Sequence, residues 1–251
     1  MQIKIRTHRV IHNHALVLCA LLREMGHDAS VVDEVDPEDD TLYIVYVAFS
    51  TPTPRRFILF QTEIYGNHWW SDAYRDKCRR ALQIWDYSAD NMRQYDFGNP
   101  KFLMPPWEWN VGPLPEKDID LLFYGYVNHR RRPLLDEVVR RSGRWVTVVD
   151  NIYGADIIDV LKRTKVVVNI HAQDNSPMEV FRFAEALSCG CRVLSEGYST
   201  NTASGRIRYL QNMMHWNDQI MYGWDDTDAV SHYMPDRDLI ALAMLNIEHG
   251  I

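Results

Sequence analysis

The stretch 166–196, VVVNIHAQDNSPMEVFRFAEALSCGCRVLSE, constrains the fold of this chain more than any other. Its pattern predicts an apolar strand at 166–170, a polar loop at 171–176, a helix from Pro177 to near Gly190 and a second buried strand at 192–194. A strand–loop–helix–strand unit is typical of an open parallel sheet. Such sheets bind ligands beyond the carboxyl ends of their strands, and a helix N-terminus there favours phosphate.

The same alternation of strands and helices runs through the chain of 251 residues. In the first hundred residues, strands are predicted at 3–5, 29–32, 42–48, 57–60, 84–87 and 101–104, and helices at 13–25 and 71–81. Asn13 is expected to cap the first of these helices, which should end at Met25-Gly26. After a proline-rich segment at 105–115, the second series has strands at 119–124, 145–149 and 166–170, a helix ending at Arg141 and another at 155–163.

This order predicts an α/β fold of two Rossmann-like domains that face each other across a cleft. The predicted N-terminal domain covers 1–112 and the C-terminal domain covers 113–235. A terminal helix is predicted at 236–251, where it would pack back on the N-terminal domain.

Composition excludes several classes of protein. Hydrophobic residues make up 46% and charged residues 24%, as in soluble globular chains. No apolar run approaches the roughly 20 residues of a membrane span, and the start lacks the apolar stretch of a signal peptide, so a cytoplasmic location is expected. The four cysteines form no CxxC pair and no acidic pair has nearby ligands, so no metal site is expected. The net charge of −7 argues against a generally basic nucleic-acid surface.

The segment 120–131, DLLFYGYVNHRR, is the first candidate for a binding site. Gly125 follows a predicted buried strand at its carboxyl end, where a glycine permits a tight turn and the close approach of a ligand to the backbone. Arg130 and Arg131 follow at the start of the next helix, and guanidinium groups there suit a diphosphate. The alternative is that these arginines are solvated helix residues, but the preceding strand and glycine turn favour the diphosphate.

The helix after the second polar loop carries the other candidate. Glu179, Arg182 and Glu185 are spaced by three residues and therefore share one helix face. Apolar neighbours predict that Glu185 is partly buried, and a buried carboxylate needs hydrogen-bonding partners, which the hydroxyls of a ribose would supply. The alternative is an exposed face with local ion pairs.

Together, FYGYVNHRR, VVVNIH and EVFRFAEALSCGCRVLSE resemble the donor-binding domain of GT-B-type glycosyltransferases. They are most similar to the retaining branch with a glutamate motif, like glycosyltransferase families 1 and 4. RFILFQTE and IWDYSADN in turn resemble an acceptor-side domain, so the resemblance covers most of 42–196. It implies a nucleoside-diphosphate sugar as co-substrate, with a UDP-sugar favoured, no other cofactor, and catalysis without a metal ion.

The resemblance also implies roles for single residues. Glu185 matches the glutamate that binds the nucleotide ribose, and Arg130 or Arg131 matches the cationic contact to the diphosphate. Ser176 and Pro177 match the loop near the sugar and the distal phosphate. The remaining donor-binding candidates are Gly125, His171, Glu179 and Arg182.

The expected reaction moves the sugar to an acceptor hydroxyl. If the enzyme is retaining, the leaving phosphate takes the acceptor proton; if it is inverting, Glu63 or His14 is the base. Trp69, Trp70 and Trp107 are candidates for stacking on a sugar or a base. The acceptor stays open between a glycan, a protein, a small molecule and a modified DNA base. Alternatives to transfer are a nucleotide-sugar epimerase and a non-catalytic nucleotide-sugar-binding or protein-interaction module.

Overall fold

A computed structural model describes residues 1–96, 100–103, 105, 111–173, 176, 179–196 and 244. They form two compact units, one of the described residues up to 105 with Met244 and one of those from 111 to 196. In these ranges no helix is long and apolar enough to cross a membrane. Pro177, Trp107 and the predicted terminal helix, apart from Met244, lie outside the described residues.

The first unit is built on a six-stranded sheet. Its elements are β1 (Gln2–Arg6), α1 (His12–Glu24), β2 (Asp28–Val32), β3 (Leu42–Tyr46), β4 (Arg56–Phe60), α2 (Asp72–Arg80), β5 (Gln83–Asp86), α3 (Ala89–Met92) and β6 (Pro100–Phe102). The strand order is β2-β1-β3-β4-β5-β6 and each neighbouring pair is parallel. The apolar runs thus predicted these strands to within about two residues, whereas the short helix α3 was missed.

The central strands β3 and β4 explain why their sequences are nearly continuous apolar runs. All five residues of β3 are buried, as are the last four of β4. Strands covered on both faces lose the alternation of apolar and polar side chains. On one face Tyr43, Phe57 and Leu59 pack with Tyr74 and Cys78 of α2.

Of the two predicted ends of α1, the structure confirms only the C-terminal one. Asn13 was expected to cap the helix, and this was wrong because α1 begins at His12 and Asn13 lies in its first turn. At the other end Gly26 adopts a φ of +88°, and its N–H donates to the carbonyl of Arg23. A glycine in the left-handed region is a common helix stop, so the predicted end is confirmed.

The second unit contains a four-stranded sheet with helices on both faces. Its elements are β7 (Ile119–Tyr124), α4 (Arg131–Ser142), β8 (Val146–Val149), α5 (Ala155–Lys162), β9 (Thr164–Asn169), α6 (Val180–Ser188) and β10 (Arg192–Ser195). The order is β10-β9-β7-β8, with parallel pairs throughout. The predicted open parallel sheet is confirmed, although α6 is described from Val180, three residues after the predicted start.

The order of the second sheet reverses between β7 and β9. From β7 the chain moves outward to β8, then returns past β7 to β9 and β10. Leu135 and Val138 of α4 pack on one face of the sheet, whereas Ile157 of α5 and Ala186 of α6 pack on the other. The carboxyl ends of β7 and β9 therefore form a topological switch point, the place where open α/β sheets bind ligands.

Candidate functional site

Gly125 leaves bare backbone at the carboxyl tip of β7. Its φ of +120° is a conformation that other residues rarely adopt, and its N–H donates to the carbonyl of Val149 at 2.9 Å. A Cβ atom here would lie 3.5 Å from Nη2 of Arg182 and 3.9 Å from Nη1 of Arg131. The tip of β7 therefore lies directly beside two guanidinium groups.

Arg131 is a buried cation at the start of α4. Only 6% of it is exposed, its Nε donates to the carbonyl of Ile170 at 2.9 Å and its Nη1 to that of Tyr126 at 2.8 Å. The guanidinium also lies over the Phe123 ring, 5.3 Å from its centroid. Burial lowers the pKa of Arg131 to about 10, so the side chain stays charged at neutral pH. It is not the solvated helix residue of the alternative interpretation.

Arg130 connects α4 to the ends of two strands of the sheet. It forms an ion pair with Glu196, which follows β10 and is 7% exposed. Its Nη1 also donates to the carbonyl of His171 at 3.0 Å, and the His171 N–H donates to Oε2 of Glu196 at 3.0 Å. Arg130 is thus fixed beside the loop that follows β9.

The first turn of α4 is held by Asn128. Its Oδ1 accepts the backbone N–H groups of Arg130, at 3.1 Å, and of Arg131, at 2.9 Å. Its Nδ2 donates to the carbonyl of Ala172 at 2.7 Å. Asparagine satisfies free helix N–H groups in this way, and here it also ties the helix start to the loop after β9.

Glu179 is the central carboxylate among the arginines. One of its oxygens bonds Arg182, and the other lies 3.5 Å from Nη2 of Arg131 and 3.4 Å from Nδ1 of His171. Burial alone would raise the pKa of Glu179, but Arg182, His171 and Arg131 together lower it to about 2. The carboxylate is therefore ionised at neutral pH. We call Arg130, Arg131 and Arg182, with Glu179 and Glu196, the arginine cluster.

Among the described residues, two buried polar atoms at the arginine cluster have no hydrogen-bond partner, one in the adjacent His171 and one in Arg182. His171 is 2% exposed, and its Nε2 is buried without a hydrogen bond from any described residue. The same holds for Nε of Arg182. Buried polar atoms are nearly always hydrogen-bonded, so such exceptions call for an explanation, and a bound ligand is one.

Glu185 lies one helical turn beyond Arg182 on α6. It is 6% exposed, and its Oε2 accepts a hydrogen bond from the Tyr124 hydroxyl at 3.0 Å. The predicted burial is confirmed, and Tyr124 is a partner that the sequence analysis missed. Ser176 is also buried, and its hydroxyl donates to the carbonyl of Gln173 at 3.0 Å.

The two candidate bases lie in the first unit. Glu63 follows β4 and is partly exposed; burial raises its pKa, and Asn67 donates to its Oε2 at 2.7 Å. His14 lies in the first turn of α1 with no exposed surface. Their proposed roles as bases stay predictions, and for His14 its burial means that an acceptor could reach it only after a rearrangement.

A second polar cluster lies at the carboxyl edge of the first sheet. Asp86, the last residue of β5, is fully buried and accepts from the Tyr95 hydroxyl at 2.6 Å and from Asn91 Nδ2 at 3.3 Å. Gln61 donates to the Tyr95 hydroxyl at 3.1 Å and accepts from that of Tyr74 at 2.9 Å. Burial raises the pKa of Asp86 to about 6. We call these five residues the first-sheet network.

The sequence pattern did not reveal the residues that hold the arginine cluster in place. They are Tyr124, Asn128, Asn169 and Glu196. Each lies at the end of a strand or just before a helix, and this position is the signal that could have revealed them. As to metals, no group of three or more His, Cys, Asp or Glu side chains in the described parts of the chain could hold an ion.

Comparison with known proteins gives a fold but no family. No protein-family model matches the chain, and no curated protein matches its sequence. One solved structure that is similar is an alpha-glucosyltransferase in complex with UDP and a 13-mer DNA containing an HMU base. The match has a TM-score of 0.54 and 8% identity, and covers 87% of this chain and 90% of that one. The chain has a glycosyltransferase-like α/β fold.

Proposed function

We propose that this protein is a GT-B-type glycosyltransferase. It would transfer a sugar from a nucleoside-diphosphate sugar, with a UDP-sugar favoured, to an acceptor hydroxyl. The observation that carries the proposal is the arginine cluster around the bare tip of β7, at the switch point of the second sheet. The fold likeness to an alpha-glucosyltransferase in complex with UDP supports the same reaction class.

The diphosphate would bind beside Gly125. Because Gly125 has no side chain, phosphate oxygens could approach its backbone. Nη2 of Arg182 and Nη1 of Arg131 lie beside the position that a Cβ atom would take. Guanidinium groups form strong charge-assisted hydrogen bonds to phosphate. In the protein alone Glu179 balances this positive charge, and the diphosphate would share that role when it binds.

The nucleoside would be held by Glu185. Its carboxylate is fixed by the Tyr124 hydroxyl, so it is already oriented before a ribose arrives. An ionised carboxylate accepts hydrogen bonds from two neighbouring hydroxyl groups well. The sugar would lie toward the loop that carries Ser176, where His171 Nε2, which has no hydrogen-bond partner among the described residues, would bond to it.

The proposed reaction forms one bond at the anomeric carbon, breaks another there and transfers the acceptor proton. The acceptor oxygen attacks the anomeric carbon, and the bond from that carbon to the phosphate oxygen breaks, so that the nucleoside diphosphate leaves with the electron pair. The arginine cluster would stabilise the negative charge that develops on the phosphate, and this would make a metal ion unnecessary. The acceptor proton goes to the leaving phosphate in a retaining reaction, or to Glu63 or His14 in an inverting one.

The test is thermal stabilisation by a panel of nucleoside diphosphates and their sugars. A ligand that binds only the folded state raises the melting temperature by mass action, so UDP and one UDP-sugar should raise it. No shift with any nucleotide would contradict the proposal. For the bound donor, conversion without an acceptor would indicate an epimerase, and binding without turnover over a wide acceptor panel would indicate a binding module.

The Glu185→Ala variant tests the assigned nucleoside contact. Loss of hydrogen bonds to a charged group should weaken binding by roughly 1–3 kcal/mol. Because the contact is to the ribose, uridine and UDP should lose affinity by the same factor in a calorimetric titration. Unchanged affinity for both would remove Glu185 from the site.

A further inference from the structure

Three aromatic side chains lie together at the carboxyl edge of the first sheet. Phe49, just after β3, stacks on Trp69, which follows β4; their ring centroids are 4.2 Å apart and the rings are inclined by 22°. The ring of His68 lies 4.3 Å from that of Trp69. Trp69 is 41% exposed although it is a large apolar side chain. We call Phe49, His68 and Trp69 the aromatic platform.

The next residue anchors the platform to the core. Trp70 is 6% exposed and packs against Tyr65, at 4.6 Å, and Tyr74, at 5.2 Å between ring centroids. Its backbone N–H donates to the carbonyl of Asn67 at 3.0 Å. Because Trp70 is fixed, Trp69 is held at the surface in a defined position. A pre-organised side chain loses little entropy when a ligand binds.

One asparagine joins the aromatic platform to the carboxylate of Glu63. Asn67 Oδ1 accepts a hydrogen bond from the backbone N–H of Trp69 at 2.9 Å, and Asn67 Nδ2 donates to Oε2 of Glu63 at 2.7 Å. The exposed ring and the oriented carboxylate therefore lie in the same short loop. A ligand that contacts the ring has a hydrogen-bond acceptor for its hydroxyl groups close by.

The charge of this region favours a neutral ligand. The platform's own loop, residues 61–71, contains one acidic side chain, that of Glu63, and no lysine or arginine. The ammonium group of Lys77, on nearby α2, already donates to the carbonyls of Ala48 and Thr51. A nucleic acid needs cations for its phosphates, whereas a sugar ring needs an apolar surface for one face and acceptors for its hydroxyls.

We propose that the aromatic platform binds a sugar ring of the acceptor, so that the acceptor is a carbohydrate. The ring would stack on Trp69 and place a hydroxyl against Glu63. That this hydroxyl is the one glycosylated rests on the proposed function, but the binding of a sugar here does not.

The experiment uses the full chain and ligand-observed saturation-transfer NMR. The ligands are methyl pyranosides, disaccharides and, as the competing class, pyrimidine nucleosides that include a hydroxymethylated base. The variants are Trp69→Ala, Trp69→Phe and Trp145→Ala, the last removing a tryptophan that is 86% exposed in the second unit. We expect at least one carbohydrate to bind, with a loss of tenfold or more in Trp69→Ala and little loss in Trp69→Phe or Trp145→Ala.

Three results would overturn the assignment. Binding of nucleosides but not sugars through Trp69 would make the platform a site for bases. Carbohydrate binding that is equal in Trp69→Ala and wild type, or absent for the whole panel, would show that it binds no sugar. A parallel titration with UDP separates the two proposals, because it should be unaffected by Trp69→Ala and its failure would count against the donor site alone.

Discussion

The carboxyl edges of the two sheets bury polar side chains in opposite ways. In the first-sheet network the buried carboxylate Asp86 receives hydrogen bonds from neutral hydroxyl and amide groups, and burial raises its pKa to about 6. In the arginine cluster Glu179 is surrounded by cations, which hold its pKa at about 2 although burial alone would raise it.

From this difference we infer that the first-sheet network is structural and that the arginine cluster is the proposed ligand site. The side chains of the first-sheet network hydrogen-bond to one another, and its donors are neutral, so they attract an external anion only weakly. The arginine cluster has three guanidinium groups and two carboxylates, and Nε of Arg182 and Nε2 of the adjacent His171 are buried without partners in the described ranges. Three guanidinium groups beside a switch point suit an anionic ligand such as a diphosphate.

The largest effect is expected from Arg131→Ala. Removing one partner from a buried ion-pair cluster typically costs about 3–5 kcal/mol, because the carboxylate left behind is buried without its cation. Denaturant unfolding measures this loss. Arg132→Ala is the matched control on the same helix turn, where the side chain is exposed, and it should change stability by less than about 0.5 kcal/mol. Equal losses would mean that Arg131 is not a buried partner in solution.

Gly125→Ala should have the next largest effect. The φ of +120° strains any residue with a Cβ, at a cost of about 1–3 kcal/mol, and the new methyl group would lie where the phosphate is proposed to bind. Affinity for UDP should therefore fall together with stability.

Gly143→Ala is the control for backbone strain. Gly143 also has a positive φ, of +64°, but a Cβ there would meet no atom within 4 Å. This variant should lose stability and keep UDP affinity. A parallel fall of UDP affinity in both variants would show that strain, and not the phosphate contact, is responsible.

Asp86→Asn should have a smaller effect on the free energy of unfolding, and this effect should depend on pH. The folded-state pKa of about 6 lies above the usual value of 3.8, so the folded protein binds this proton more tightly than the unfolded chain. Wild-type stability from this group should then rise as the pH falls from 7 toward 4, and the variant should lack that rise. The free energy of unfolding at a series of pH values checks this.

The matched variant at the carboxyl edge of the second sheet, Glu179→Gln, should change the pH dependence of stability with the opposite sign. With a pKa of about 2 against a usual 4.5, Glu179 stabilises the wild type above about pH 4.5 and loses that contribution as the pH falls toward 2. If both variants shifted the pH profile in the same direction, the contrast between the two edges would be wrong.

The sequence predicted those features that depend on local pattern. Buried parallel strands such as β3 and β9 carry continuous apolar runs, and the strand at Ile119–Tyr124 was predicted with its bounds. Arg131, His171, Glu179 and Arg182 were named as one site, and the structure brings them together.

The partners of these residues could not be predicted, because they come from distant parts of the chain. Glu196 reaches Arg130 only because β10 pairs with β9, and Tyr124 meets Glu185 only because α6 packs on the face of the sheet where Tyr124 lies. Such contacts depend on strand order, which the sequence pattern leaves open. Capping at Asn13 failed for a similar reason, since a turn that the pattern did not reveal precedes the helix.

The most direct test of the account compares UDP with uridine in calorimetric titrations of wild type, Arg182→Gln and Arg132→Gln. If the arginine cluster binds a diphosphate, wild type binds UDP more tightly than uridine. Arg182→Gln then lowers UDP affinity by tenfold or more with uridine affinity kept, and Arg132→Gln changes neither. Equal wild-type affinities for UDP and uridine, or an equal loss of both in Arg182→Gln, would contradict the account.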